Sequence, residues 1–454
     1  MDIESKKFAK ERLTLLNDGE VDEDGKYVLY WMQRSQRTEW NMALEYAVEM
    51  GQKLDKGVVV CFGLMDDYPD ATERHYAFML EGLVEVGEKL KERNIKFILR
   101  LGQPVDVAED LSKEASLAVC DMGYLRHMRE WRQELATRLH IPLIQVEDNA
   151  VVPVETASDK EEYAARTIRK KIHEKIPKFS ESVHPFKPAK STSRLSLKGE
   201  EVTDVDRLLK KLSPKVEPGR VSTFIGGTAE AKQHFKNWLR NGYEDYDEDR
   251  NQPHVENVSH MSPYLHFGQI SPLWLFDQMK SKKGTNKESY VEELVVRREL
   301  AINFVWFNKN YDSLRSIPEW AQETLEKHKS DEREKVYSKE ELENAETDDP
   351  YWNKAMTTMK ERGYLHNHMR MYWGKQILLY TNTPQYAHRV ALELNNKYFL
   401  DGRDPNSYTN IAWLFGNHDR GWTERKIFGK VRSMTKSGLE RKIDTEAYLS
   451  KFEE

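Results

Sequence analysis

The sequence predicts an α/β domain built on a doubly wound parallel sheet, followed by an all-α domain. Three observations predict it. Up to about residue 180, short apolar runs rich in β-branched residues alternate with segments of helical spacing. Between 181 and 223 the composition turns Pro-, Ser- and Lys-rich, as in SVHPFKPAKSTSRLSLKGEE and LSPKVEPGR, which reads as a linker around a short helix. After Thr223 only helical spacing is found. The expected division is therefore an N-terminal arm over 1–26, an α/β domain over 27–180, a linker over 181–223 and a helical domain over 224–454.

The arm is charged, is expected to be partly helical, and ends in acidic Asp-Gly. Val28–Met32 (VLYWM) is the first strand. Gly57–Met65 (GVVVCFGLM) is continuous and β-branched, as a strand buried on both faces requires. Arg74–Arg93 places Phe78, Leu80, Leu83, Val86 and Leu90 on or near one helical face. Lys96–Leu101, Leu117–Cys120 and Pro142–Val146 are the third to fifth strands, with a helix over Leu125–Leu139. Right-handed crossovers between parallel strands follow from this order. Gln-Arg-Ser-Gln-Arg follows the first strand, not a glycine-rich turn, which argues against a Rossmann dinucleotide site there. In the second half, AEAKQHFKNWL, SPLWLFDQM, ESYVEELVVRRELAINFVWF, MRMYWGKQILLY and PQYAHRVALELN each carry helical spacing.

Composition narrows the function. The chain of 454 residues is long enough for two or three domains. Charged residues make up 32% and hydrophobic residues 39%, as in a soluble protein. The net charge of −6 excludes a generally basic nucleic-acid coat, so any DNA contact must come from a local patch. Two cysteines, Cys61 and Cys120, cannot supply the four ligands of an iron–sulfur cluster or a structural zinc site. No metal is expected, and the thiols suit a reducing cytoplasm. The N-terminus has no apolar signal core, and no run approaches the roughly 18 apolar residues of a membrane span.

Four stretches carry chemistry. YDEDRNQPHVENVSHMSPYLHFG (246–268) sets Ser259 and Ser262 just before a helix, where hydroxyls and free N–H groups suit a phosphate; by itself Ser-x-x-Ser-Pro is more often a plain cap. EELVVRRE (292–299) offers an i,i+4 pair of Glu293 with Arg297, an ordinary surface arrangement. HNHMRMYWGKQILLY (366–380) puts Met369, Tyr372/Trp373, Gln376 and Tyr380 on one face, which a core stripe also explains. NNKYFLDGRDPNSYTNIAWLFGNHDRGW (395–422) is too polar and broken for a plain core helix and too aromatic for a linker; it suggests a polar pocket for a flat ligand. From its end onward, Arg420, Trp422, Arg425, Lys426, Lys430, Arg432 and Lys436 form a basic stretch with interleaved Trp and Gly, which favours DNA over a solvated face.

These stretches resemble, in the same order and over almost the whole chain, the photolyase/cryptochrome family, most closely its class II cyclobutane pyrimidine dimer (CPD) photolyases. The resemblance implies FAD as cofactor, with Tyr246, Ser259, His260, Met261 and Ser262 along its adenine, diphosphate and ribityl parts. It implies an Arg370–Asp401 pair over the isoalloxazine and Asn395 beside flavin N5. It places Glu293 and Met371 at the lesion, with Trp413 stacked beneath it. Relatives carry Trp at or near Arg297; here Arg297 binds a phosphate or pairs with Glu293. Trp373 and Trp352 resemble the electron-transfer tryptophans, and Tyr380 stands where relatives have the terminal Trp. Arg420 and Trp422 correspond to residues that enter the gap left by a flipped lesion, with Lys430 and Arg432 expected to contact DNA phosphates. The function so implied is light-driven repair of pyrimidine dimers in UV-damaged DNA by electron transfer from reduced FAD. A second, antenna chromophore of 8-hydroxy-5-deazaflavin or folate type, a monomer, no membrane, and a cytoplasmic, nucleoid-associated location (nuclear in a eukaryote) complete the expectation. The alternatives are a cryptochrome-like light sensor, which usually carries a long tail beyond the helical domain, and a bland nucleotide-binding α/β protein with a helical appendage.

Overall fold

The computed structural model describes residues 4–212, 217–255 and 257–452. Residues 1–3 of the expected arm, 213–216 of the expected linker, residue 256 of the 246–268 motif and the last two positions lie outside the described residues. The sheet has six strands: β1 (Leu13–Leu15), β2 (Tyr27–Trp31), β3 (Gly57–Leu64), β4 (Lys96–Leu101), β5 (Ala115–Asp121) and β6 (Leu143–Val146). Their order is β1-β6-β5-β2-β3-β4. Strands β2 to β6 are mutually parallel, with Tyr30 level with Val60 on one side and Val119 on the other.

The strands sort their side chains by parity, as a pleated strand must. Val28, Tyr30, Val58 and Val60 join one core, and Tyr27, Leu29, Trp31, Val59 and Cys61 the other. Helices α1 (Met42–Leu54) and α2 (Glu73–Glu92) cover the first face, and α3 (Pro104–Ser112) and α4 (Arg126–Arg138) the second. Both faces are sealed, so every residue of β2 and β3 is buried, which is why these strands read as unbroken apolar runs. Cys61 and Cys120 are buried free thiols, both raised by burial.

The N-terminal segment, expected to be a partly helical arm, also carries a strand. Apart from a single turn at Lys10–Arg12, it supplies β1, which pairs antiparallel with β6 and covers that edge of the sheet. The buried Arg12 anchors it by donating to the carbonyls of Glu147, Ala150, Val151 and Phe179. A three-residue edge strand is too short to show periodicity.

Among the described residues the rest is helical, apart from isolated bridges. Two cores share these helices. One continues from the α1/α2 face through Phe235, Trp238, Leu273, Tyr290 and Val295; the other holds Phe304, Trp352, Trp373, Leu394 and Phe415. Polar side chains tie the halves together. Arg34, just after β2, pairs with Asp404 at 2.9 Å. Arg37 donates to Asp148 at 2.5 Å and to the Gly268 carbonyl at 2.9 Å. Arg74 donates to the carbonyls of Tyr398 (2.9 Å) and Lys360 (2.8 Å).

Two local readings need correction. The 395–422 stretch is more regular than expected: it holds the end of the Pro384–Tyr398 helix and all of a Pro405–Leu414 helix. Asp404-Pro405 reads as a breaker but is a start signal, with the Asp404 carboxylate accepting from Asn406 N and proline in the first turn. The 288–307 segment is interrupted by a π-turn over Glu292–Arg297 between the Thr285–Val291 and Arg298–Phe307 helices.

Candidate active site

The two helical cores leave a cavity of about 640 Å³ between them. This lies within the roughly 300–1,000 Å³ of ligand sites. Its walls bring together residues far apart in sequence: Tyr246, Ser259, His260, Met261 and Ser262; Glu293 and Arg297; Arg370, Met371 and Trp373; Asn395 and Asp401; Trp413 and Arg432. Trp352, Tyr380, Arg420, Trp422 and Lys430 are not among its lining residues.

Ser262 opens a helix of only five residues, with Met261 at the cap position. So short a helix lacks a full macrodipole. The polarity of this wall comes instead from the Ser259–Ser262 turn, where His260 holds the backbone at φ +53°. Opposite stands the Asn367–Tyr380 helix. Arg370 Nη1 and Nη2 grip the Asp401 carboxylate at 2.9 and 3.0 Å, and its Nε donates to the Leu365 carbonyl at 2.8 Å. Its guanidinium lies 3.9 Å from the Phe399 ring centre. Those contacts engage three of the five guanidinium donors, so the group has capacity for a polar ligand in the cavity. The Asn395 amide donates to Asn396 Oδ1, which orients it from the Pro384–Tyr398 helix.

The π-turn changes the expected acid–base pairing. In an α-helix Glu293 and Arg297 would stack at i,i+4. In a π-turn the repeat is five, so Arg297 lies over Glu292 instead, at 3.0 Å. Glu292 is further clamped by Arg169 at 2.7 Å and 2.9 Å. Glu293 is released toward the cavity and meets Arg250 at 3.0 Å. Sequence reading missed Arg250 as its partner, although Tyr246 and Arg250 lie one helical turn apart in the same motif. It missed Arg298 too, a buried lining residue whose pKa burial lowers, and which donates to the Asn149 carbonyl at 2.6 Å.

Behind the cavity wall the aromatic residues form a chain. Trp373 and Trp352 are fully buried. Trp352 Nε1 donates to the Trp373 carbonyl at 2.9 Å, and the rings of Trp352 and Tyr380 meet edge-on at 6.0 Å. Trp373 Nε1 is buried without a hydrogen-bond partner among the described residues. Lys375, two residues on, is fully enclosed; it caps the Pro405–Leu414 helix through the Leu414 carbonyl and sits 4.8 Å from the Trp413 ring centre. Burial drops its pKa to about 7. No sequence signal marked this lysine, which lies within an apolar run.

Outside the cavity mouth, Trp422 is one of the few large exposed apolar side chains, 37% accessible. Arg420 and Arg432 flank its ring at 5.1 and 4.5 Å. Its backbone N–H binds the Lys430 carbonyl at 2.8 Å, so the Trp422 and Lys430 strands of this loop brace each other. Among the described residues no cluster of His, Cys, Asp and Glu could hold a metal. No helix among them is long and apolar enough to cross a membrane.

Comparison with known proteins matches this geometry to a family. The DNA photolyase family model matches residues 28–190. A deoxyribodipyrimidine photo-lyase of Methanothermobacter thermautotrophicus is 47% identical over 442 residues, 97% of this chain and 98% of the relative. The chain belongs to the DNA photolyase family, as an enzyme of its deoxyribodipyrimidine photo-lyase group. The photo-lyase of Potorous tridactylus is 38% identical over 98% of this chain and 85% of its own. Among solved structures, a bacterial class III photolyase from Agrobacterium tumefaciens covers 94% of this chain and 86% of its own, with TM-score 0.73 at 16% identity. A Synechocystis cryptochrome gives 0.72 at 16% identity, covering 93% of this chain and 88% of its own. At such identity these structures speak for the photolyase fold alone.

Proposed function

We propose that this photolyase is a class II CPD photolyase that repairs pyrimidine dimers in UV-damaged DNA with FAD and blue light. The observation that carries the proposal is the convergence of Arg370–Asp401, Asn395 and Glu293 on one cavity. Volume and donor set both fit FAD, with the free guanidinium donors of Arg370 and the Asn395 amide facing the ring, and the Tyr246 and Ser259–Ser262 wall along the adenine and diphosphate. When bound, reduced FAD excited by light supplies an electron to the dimer and receives it back after the ring has split. The protein's own part is position and field. In its protonated form, parted from Arg250, the Glu293 carboxyl donates a hydrogen bond to a pyrimidine carbonyl where negative charge develops. Met371 and Trp413 hold the flipped bases, Arg297 offers a cation at the rim, and Trp373, Trp352 and Tyr380 carry electrons inward when the cofactor starts oxidised. Arg420, Trp422, Lys430 and Arg432 engage DNA, since chemistry on a stacked base requires flipping. In this reading the α/β part, 27–180, serves light collection, the helical part, 224–454, serves catalysis, and the protein works as a cytoplasmic, DNA-associated monomer.

An antenna of deazaflavin or folate type would sit at the C-terminal ends of β2 and β3, where α/β sheets usually bind ligands. The cavity there, among Phe62, Tyr68, Trp131 and His266, is about 70 Å³, so an antenna enters only if such side chains move. The flavin assignment is tested at Asp401. Asp401→Ala leaves the partly buried Arg370 guanidinium without its carboxylate, a loss somewhat below the roughly 3–5 kcal/mol of a fully buried pair. Absorption spectra should show flavin in the wild type and little in the variant. A stable variant with full flavin content would refute the arrangement.

A further inference from the structure

The aromatic chain behind the cavity ends on a carboxylate. Tyr380 Oη donates to Asp349 Oδ2 at 3.0 Å, and Tyr372 Oη donates to the same oxygen at 2.5 Å. The other oxygen, Oδ1, accepts from the backbone N–H groups of Tyr351 (3.0 Å) and Trp352 (3.2 Å), capping the Pro350–Arg362 helix. Asp349 is 6% exposed, whereas Tyr380 is only half-buried. The carboxylate therefore touches both the backbone of Trp352 and the phenol beside the Trp352 ring.

Among the described residues, neither indole of this aromatic path faces a base. Trp373 Nε1 has no hydrogen-bond partner among the described residues, and Trp352 Nε1 faces only the Trp373 carbonyl, a poor base. An indole that loses an electron can persist as a radical cation. A phenol cannot: its radical cation is a very strong acid, so tyrosine is oxidised usefully only where a base waits. Burial, followed by the Asp349 charge, raises the Tyr380 pKa, so the phenol holds its proton at rest.

We infer that Asp349 is the proton acceptor that makes Tyr380 a terminal electron donor. The inference rests on the reading of Trp373 and Trp352 as the electron path, with photoexcited oxidised flavin as the oxidant. One electron passes from Tyr380 to the radical cation on Trp352 and restores that indole. The phenol O–H bond breaks, and its proton binds Asp349 Oδ2. The products are a neutral tyrosyl radical and a neutral carboxyl. Return of the electron then requires return of the proton, which prolongs the charge separation. The half-exposed Tyr380 leaves the radical open to an external reductant. A tyrosine can thus replace tryptophan here because a base stands beside it.

The test uses the FAD-loaded, oxidised holoenzyme under a blue flash, read by transient absorption and by electron paramagnetic resonance of the trapped radical. Wild type should give a tyrosyl signal that forms more slowly in heavy water and carries an exchangeable hydrogen bond. Asp349→Asn keeps the cap, since Asn caps as well as Asp, but cannot take the proton. It should lose the tyrosyl signal, retain the tryptophan radical and recombine faster. Tyr380→Phe should match it, while Tyr372→Phe should keep the tyrosyl signal. A tyrosyl radical formed in Asp349→Asn at the wild-type rate would overturn the inference. So would a wild-type radical lacking the exchangeable hydrogen bond, a result that needs no variant to fold. If the wild type shows no aromatic radical of any kind, the tryptophan path itself fails, and the inference with it; a tryptophan radical without a tyrosyl one leaves the path standing and overturns only the role of Asp349.

Discussion

Glu293 and Glu292 are neighbours in sequence and have different work. Glu292 is held by Arg169 and Arg297, whereas Glu293 lines the cavity with Arg250 as its ion-pair partner. In its protonated form a carboxyl in that position can donate to a lesion carbonyl, and it is not needed to hold the flavin wall. Glu293→Gln should therefore lower the quantum yield of repair several-fold while flavin content stays at the wild-type level. Single-turnover flash repair measures the yield, and an unchanged yield would remove Glu293 from the reaction. Glu292→Gln is the contrasting variant, expected to spare the yield. How far such roles were legible depended on the residue. The Arg370–Asp401 pair was expected only through the family resemblance, since no local pattern joins two residues from separate helical stretches. Arg250 and Asp349 were not legible, because their partners come from distant segments and an Asp before Pro looks like any helix cap.

At the scale of elements, the π-turn decides which acid faces the cavity, and the contact of the Asn367–Tyr380 and Pro405–Leu414 helices sets where Trp413 stands. That contact is close: a Cβ on Gly374 would lie 2.3 Å from Leu414 Cδ1. Lys375 bridges the same pair of helices through the Leu414 carbonyl and the Trp413 ring. Its pKa falls from 10.5 to about 7, chiefly by burial. Below pH 7 folded and unfolded chains both carry the proton. Between about 7 and 10.5 the unfolded chain carries it and the folded chain does not, so this group makes stability rise with pH across that window. Lys375→Met should flatten the rise, read as the difference between wild-type and variant urea midpoints at pH 7 and pH 10. A parallel pair of profiles would show that Lys375 does not titrate as described. The parallel strands were legible as unbroken apolar runs rich in β-branched residues, and the longer helices because their periodicity spans many residues. The edge strand β1 and the π-turn were not, since one is three residues long and the other differs from an α-helix by one residue per turn.

For the whole molecule the question is how a chain of net charge −6 holds DNA. The exposed Trp422 and its flanking arginines stand out beside the cavity mouth, and Arg432 belongs to both. Arg420→Ala/Trp422→Ala should weaken binding to a dimer in duplex DNA far more than to the same dimer in a single strand, because only the duplex must be unstacked, at a few kcal/mol. Lys430→Ala should weaken both equally and reduce the salt dependence by about one unit. Equal losses on both substrates for the double variant would reduce Trp422 from a wedge to an ordinary contact. The overall charge gave only a constraint; the face itself is formed by a loop whose ends meet at Trp422 and Lys430, a pairing no local pattern announces. The most direct test of the central claim is repair itself. Protein with its flavin chemically reduced is mixed with an oligonucleotide carrying one thymine dimer and exposed to blue light or kept dark. The account predicts restoration of the two thymines in light and none in the dark. Reduced, flavin-loaded protein that binds the lesion and leaves the dimer intact under light would contradict it.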